Sequence, residues 1–243
     1  MNVYKTAPIS DLLAGNSYAG RGIVIGKSAN GKSACTAYFI MGRSANSRNR
    51  VFELTDDVLY TKPFDPAKVE DPSLIIYAAV RRFENRLIVT NGDQTDTVFE
   101  GLKQGKSFSQ SLASRRFEPD APNLTPRISG MLTFEDGGFS YEMSILKSAD
   151  GNGDSVQRYF FEYGQPVAGE GHFISTYKCN GSPIPSFEGE PLRVAMPDSV
   201  TAFAQMLWAS LNEDNKVSLF VRCIDLESGR AGDILYNKYS EVE

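Results

Sequence analysis

Apolar and polar positions along this chain change period several times, and each change predicts an element. Residues 23–26 and 34–41 are apolar runs on either side of Asn30-Gly31. That pair tolerates the positive φ angles of a type I′ turn, so the stretch predicts a β-hairpin. Residues 51–60 read as extended and 61–69 as a Pro-punctuated loop. Asp71-Pro72 has the form of an N-cap followed by a first-turn proline, which predicts a helix to about Phe83 carrying Tyr77 and Arg81 on one face. A short strand over 87–90 follows. Thr97 with Glu100 and Ser107 with Gln110 fit capping boxes, predicting helices that end near Gly105 and cover 108–116. Beyond a Pro-broken loop at 117–128, strands are expected at 130–134, 139–146, 156–163 and 173–178. Asp198 then caps an amphipathic helix to about Leu211, and 216–225 alternates as a last strand. Mostly alternating strands, short turns and about four helices predict an α+β fold of two mostly antiparallel sheets with helices outside. With no linker or internal repeat, residues 1–243 are expected to form one domain.

Charge and cysteine usage narrow the function. A net charge of −5 over 243 residues disfavours nonspecific nucleic-acid binding, which needs a broad basic surface. Cys35, Cys179 and Cys223 are far apart, odd in number and lack a CxxC pair, which predicts a reducing compartment and no zinc site. The N-terminus has neither the basic start nor the apolar centre of a secretion signal, and no run nears the ~20 apolar residues of a membrane span. A cytoplasmic location is therefore expected, without contact with membranes.

Against that acidic background, residues 43–50 stand out. Arg43, Ser44, Asn46, Arg48, Asn49 and Arg50 suit a small anionic ligand rich in hydrogen-bonding groups. Residues 26–33 match the phosphate-loop pattern GxxxxGK[ST], but such a loop needs a helix to start at its Lys-Ser. Thr36, Tyr38, Phe39 and Ile40 favour a strand there, so the match is read as accidental. Residues 91–97, Asn-Gly-Asp-Gln-Thr-Asp-Thr, crowd amides, carboxylates and hydroxyls around one glycine and could bond backbone or a polar ligand. The acidic run 150–154 lacks the final Glu and flanking helices of an EF-hand and reads as a hairpin turn. His172, the only histidine, is read as structural.

The segments YAGR, NGK, AYFIMGRS and NR, then IIYAAVR, NGDQTDT, FE, LTPRI and ISTY, occur in that order over residues 18–177. In this the chain resembles the archaeal-type IMP cyclohydrolase family. The resemblance implies closure of the last purine ring, from the formylated aminoimidazole carboxamide ribotide (FAICAR) to IMP. It also implies a four-layer αββα sandwich similar to N-terminal-nucleophile hydrolases, no cofactor or metal, and a homo-oligomer. An N-terminal nucleophile is missing, since the chain begins Met1-Asn2, so no acyl-enzyme is expected. The implied catalytic residues are Arg50, Tyr77 and Glu118, with Asp120 as the alternative carboxylate. Tyr38, Arg43, Ser44, Asn49, Arg81, Asn91, Gly92, Asp93, Thr95, Asp96, Arg127 and Tyr177 are the implied substrate-binding residues, Arg43, Arg81 and Arg127 being phosphate candidates. A purine-nucleotide-binding protein, or a related amidohydrolase on the same fold, is the alternative.

Overall fold

The computed structural model describes residues 6–69, 75–149 and 151–239. In chain order its elements are α1 (Ile9–Leu13), β1 (Arg21–Lys27), β2 (Ser33–Met41), α2 (Ala45–Arg48), β3 (Val51–Thr55), β4 (Val58–Lys62), β5 (Tyr77–Phe83) and β6 (Arg86–Thr90). There follow α3 (Gln94–Lys103), α4 (Phe108–Leu112), β7 (Arg127–Glu135), β8 (Gly138–Ala149), β9 (Asn152–Tyr163), β10 (Glu170–Ser175), β11 (Leu192–Ala195), α5 (Val200–Ser210), β12 (Lys216–Asp225) and β13 (Ala231–Asn237). One sheet runs β11-β10-β1-β2-β12-β13 and the other β3-β4-β5-β6-β7-β8-β9. Neighbouring strands in both are antiparallel.

Strand alternation sorts the apolar residues into three interfaces. Ile23, Ile25, Tyr38 and Phe220 of one sheet meet Leu59, Val89, Leu132 and Met143 of the other. The residues between them, Val24, Ala37, Phe39, Leu219 and Val221, turn outward under Phe203, Ala204 and Leu207 of α5 and Ile9 and Leu13 of α1. On the far side Ile88 and Met131 lie under α3 and α4. The order is helix, sheet, sheet, helix. The sheets pack closely at Gly130, where an added Cβ would stand 2.5 Å from Ile25 Cδ1.

The hairpin forms with a different turn from the one expected. Gly31 has φ of +73°, but Asn30 is not left-handed. Gly31 N–H closes on Ser28 C=O at 2.9 Å, and Asn30 Oδ1 accepts from Lys32 N–H and Ser28 Oγ. This is a type I turn closed by a left-handed glycine. Strand β2 starts straight after Lys32, so the phosphate-loop match has no helix behind it.

The helix expected to reach Phe83 is a correction. Residues 77–83 form β5, while 70–74 lie outside the described residues. Pairing with β4 and β6 decides the matter, because Tyr77, Ala78, Ala79 and Val80 are all buried in the sheet. Helix α3 starts at Gln94, ahead of the proposed Thr97 cap, whereas the Ser107–Gln110 capping box is present. Ser199, not Asp198, caps α5. The polar tail adds the edge strand β13. The expectation of unpaired, reduced cysteines is also overturned, because Cys35 and Cys223 form a disulfide. They lie 188 residues apart, yet β2 and β12 are neighbours and place them directly opposite. Cys179 is free. No described helix is long and apolar enough to cross a membrane.

Gly151, with φ of +72°, turns β8 into β9, so residues 151–154 of the acidic run sit at a hairpin, and residue 150 lies outside the described residues. His172 on β10 stacks on Tyr163 at 3.9 Å, and Tyr141 Oη lies 2.6 Å from its Nδ1. Burial, helped by the Arg193 charge, lowers its pKa to about 4. The folded state therefore favours neutral imidazole, with the Tyr141 hydroxyl, itself pushed up by burial, as the donor. In the unfolded chain this histidine returns to about 6.5, so the unfolded state binds the extra proton and stability falls as pH drops from 6.5 towards 4. The loss amounts to roughly 3 kcal/mol from this one residue. His172→Gln should flatten the decline of melting temperature over that interval, and an unchanged slope would remove His172 as its cause.

Candidate active site

A cavity of about 290 Å³ opens where the start of β1, the exit from β2, the loop after α4 and the end of β10 converge. Arg21, Arg43 and Arg50 line it together with Glu118, Asp120 and Tyr177. At its floor Arg21 and Glu118 form a salt bridge, with side chains 9% and 7% exposed. Burial pulls the Arg21 pKa down, but the Glu118 carboxylate and the phenols of Tyr77, Tyr177 and Tyr38 more than offset it, and the guanidinium stays charged.

Around that pair stand three tyrosines. Tyr38 on β2 and Tyr77 on β5 reach across the sandwich, one from each sheet, and their hydroxyls meet at 2.8 Å. Burial raises the Tyr38 pKa well above normal, reinforced by the Tyr77 phenol and opposed by Arg21. Tyr177 is likewise raised by burial against the pull of Arg21. Its hydroxyl lies 2.6 Å from Thr125 Oγ1, and its ring stacks on Tyr18 at 5.7 Å. The Tyr38 and Tyr177 hydroxyls therefore remain protonated and can donate.

The two carboxylates of the Pro-broken loop have separate surroundings. Asp120 accepts from Thr125 N–H at 2.6 Å and from the Thr125 hydroxyl, so it folds the loop upon itself. Glu118, whose N–H also bonds Thr125 C=O, is the one directed at Arg21.

Residues 43–50 divide in the same way. Arg43 donates to Asn180 Oδ1 at 2.5 Å and Gly181 C=O at 2.8 Å, and its guanidinium lies over the Tyr18 ring at the mouth. Ser44 lines the cavity and caps α2. Asn49 exchanges two hydrogen bonds with the backbone of Asp65 and braces that loop. Arg48 bonds Gly42 and Asn215. Arg50 is buried at the cavity, and its Nε has no hydrogen-bond partner among the described residues. Arg50 lines the cavity, and a guanidinium in its wall is suited to an oxygen of a ligand.

The polar run 91–97 is not brought to the cavity wall. Asn91 Nδ2 bonds Pro126 C=O, while its Oδ1 accepts from Ile128 N–H and Gln94. Thr95 meets Thr90, and Gly92 C=O accepts from the Thr90 hydroxyl. Asp93 pairs with Arg115 and, at 2.8 Å, with Arg127, which also donates to Gln94. A Cβ on Gly92 would stand 2.5 Å from the Arg127 guanidinium, so glycine leaves that arginine its place. Burial lowers the Arg127 pKa, with Glu118 and Asp93 acting against it. Arg127 thus sits behind Glu118. Arg81 pairs with Asp96 and lies 3.5 Å above the Phe99 ring, in the outer helix layer.

Among the cavity residues absent from the sequence-derived set are Arg21 and Tyr18. A signal was present: Arg21 is the one charge heading the apolar run 22–25, where an ion partner must be found on burial. A second cavity of about 640 Å³ adjoins the first and shares Arg43, Asn123 and Ile184 with it. Its lysine, Lys147, is already bonded to Phe187 C=O at 2.8 Å, and the buried Arg21–Glu118 pair lies in the smaller cavity.

The sequence model of the IMP cyclohydrolase-like protein family matches residues 18–229. The chain belongs to that family. Every residue of the cavity lies inside the matched span. Curated relatives named IMP cyclohydrolase include one from Methanopyrus kandleri, 28% identical over 163 residues, covering 66% of this chain and 75% of the relative. Another, from Methanothrix thermoacetophila, is 27% identical over 169 residues, or 65% of this chain and 82% of the relative. A third, from Methanococcus maripaludis, is 29% identical over 169 residues, or 67% and 76%. For the IMP cyclohydrolase-like family the geometry here offers three arginines, two carboxylates and two phenols around one cavity.

Proposed function

We infer that this protein is an IMP cyclohydrolase, closing FAICAR to IMP with release of water. Membership of the family across residues 18–229 carries the reading, and the cavity chemistry agrees with it. In this reaction the carboxamide nitrogen forms a bond to the formyl carbon and gives up a proton. The formyl oxygen takes one up as the carbinolamine forms, and a second proton transfer expels it as water while the ring C=N bond is made. Alignment of the two groups within the cavity supplies the largest share of the acceleration, up to ~7–11 kcal/mol.

Tyr77, oriented by its contact with Tyr38, and Glu118 are assigned the proton transfers, and Arg50 at the cavity wall the developing oxyanion. Arg21 holds Glu118 in place. Arg43, at the mouth, is assigned to the phosphate, with the adjoining cavity giving room for ribose. Arg81 and residues 91–97 act through the fold, by fixing α3 and Arg127, not by touching substrate.

Purified protein incubated with FAICAR should develop the purine chromophore of IMP at a rate well above the uncatalysed one. Binding of IMP without turnover would instead identify a nucleotide-binding protein.

A further inference from the structure

Strand β9 ends the seven-stranded sheet, and its outer edge is open. The opposite edge, β3, is closed by Asn237, whose side-chain amide bonds both N–H and C=O of Phe52. Among the described residues, no loop or turn backbone bonds residues 157–163 of β9. A long unprotected edge is a template for another strand. This one also carries Tyr159 and Phe160, 42% and 37% exposed. We propose that the edge of β9 is a two-fold interface with a second copy of this chain, the two β9 strands pairing antiparallel about Phe160.

The register follows from symmetry and charge. A two-fold axis normal to the sheet requires one residue to face its own copy. Centring on Arg158 or Glu162 would set like charges opposite each other. Centring on Tyr159 or Phe161 would set a charged residue opposite Phe160. Centring on Phe160 sets Arg158 opposite Glu162 twice, Tyr159 opposite Phe161 twice and Phe160 opposite itself. Opposite charges and aromatic pairs are the favourable cross-strand combinations.

The single chain also lacks something that this pairing supplies. Glu162 stands directly opposite Glu142 of β8. Burial, and then the Glu162 charge, hold the Glu142 carboxyl above its usual range, with Arg86 as the counteracting charge. Arg158 of a second copy would bring another cation to Glu162. Arg158 can do so because only its Nε is engaged, on Arg115 C=O at 2.9 Å. The Arg116 contact with Gly153 C=O falls outside the paired span 157–163. Phe160 already packs edge-on against Phe108 at 6.2 Å, so the central residue is fixed before pairing.

Sedimentation equilibrium of the full chain tests this. The wild-type chain should be dimeric, and Arg158→Glu or Glu162→Arg should each weaken dimerisation ~10-fold or more by setting like charges opposite. The double variant exchanges the charges and should restore dimerisation to within about threefold of wild type. Glu162→Arg relieves Glu142 within the chain, so its melting temperature as a monomer should not fall, which separates lost association from lost folding. A monomeric wild-type chain, single variants that dimerise as tightly as wild type, or a double variant no better than the singles would each overturn the interface.

Discussion

Glu118→Gln should lower FAICAR turnover by about a hundredfold or more and lower the melting temperature as well. Both effects come from one geometry. Glu118 is ionically paired with Arg21 in a site where both side chains are almost wholly buried. Removing the charge leaves a buried guanidinium without its anion, and breaking such a pair costs about 3–5 kcal/mol. A fall in activity alone would therefore be ambiguous. The second variant resolves it: Arg21→Met with Glu118→Leu replaces the pair by apolar groups of similar volume, which is often neutral for stability. Melting temperature should then return towards wild type while turnover stays low. If the stable double variant regained turnover, the pair would be a structural brace and the proton transfers would belong elsewhere.

Local pattern made much of this molecule readable, and strand order accounts for what it did not. The hairpin of β1 and β2, the Ser107–Gln110 capping box and the strand character after Lys32 depend on neighbours in sequence. Residues 77–83 do not. Asp71-Pro72 imitates a helix start, yet residues 77–83 take their conformation from pairing with β4 and β6. The disulfide was hidden for the same reason, since nothing local tells that β2 and β12 are adjacent. Within the site, Tyr38, Arg43, Arg50, Glu118 and Tyr177 converge, although they come from distant parts of the chain. The run 91–97 turns the chain from β6 into α3, and such a turn buries many backbone groups. Asn91, Thr95 and Gln94 satisfy those groups and leave little for a ligand. From composition alone, a self-satisfied polar turn and a ligand loop look the same.

Tyr77→Phe should lower kcat by ~10²-fold or more with KM little changed, the pattern of an interaction made only in the transition state. The substitution keeps the ring in the intersheet core and removes only the hydroxyl that meets Tyr38 at 2.8 Å. Losing that neutral hydrogen bond should cost about 1 kcal/mol of stability, too little to explain a large kinetic defect. Tyr38→Phe separates the members of the pair. Tyr38 is fully buried, so it is a positioning residue that orients the Tyr77 hydroxyl. Its loss should lower kcat by about tenfold, less than the loss of Tyr77 itself. Equal losses from both single variants and the double variant would mean that the two phenols act as one unit. A kcat for Tyr77→Phe within about threefold of wild type, in a protein that still closes FAICAR, would leave Tyr77 as core packing and move the proton transfers to Glu118 and Tyr177.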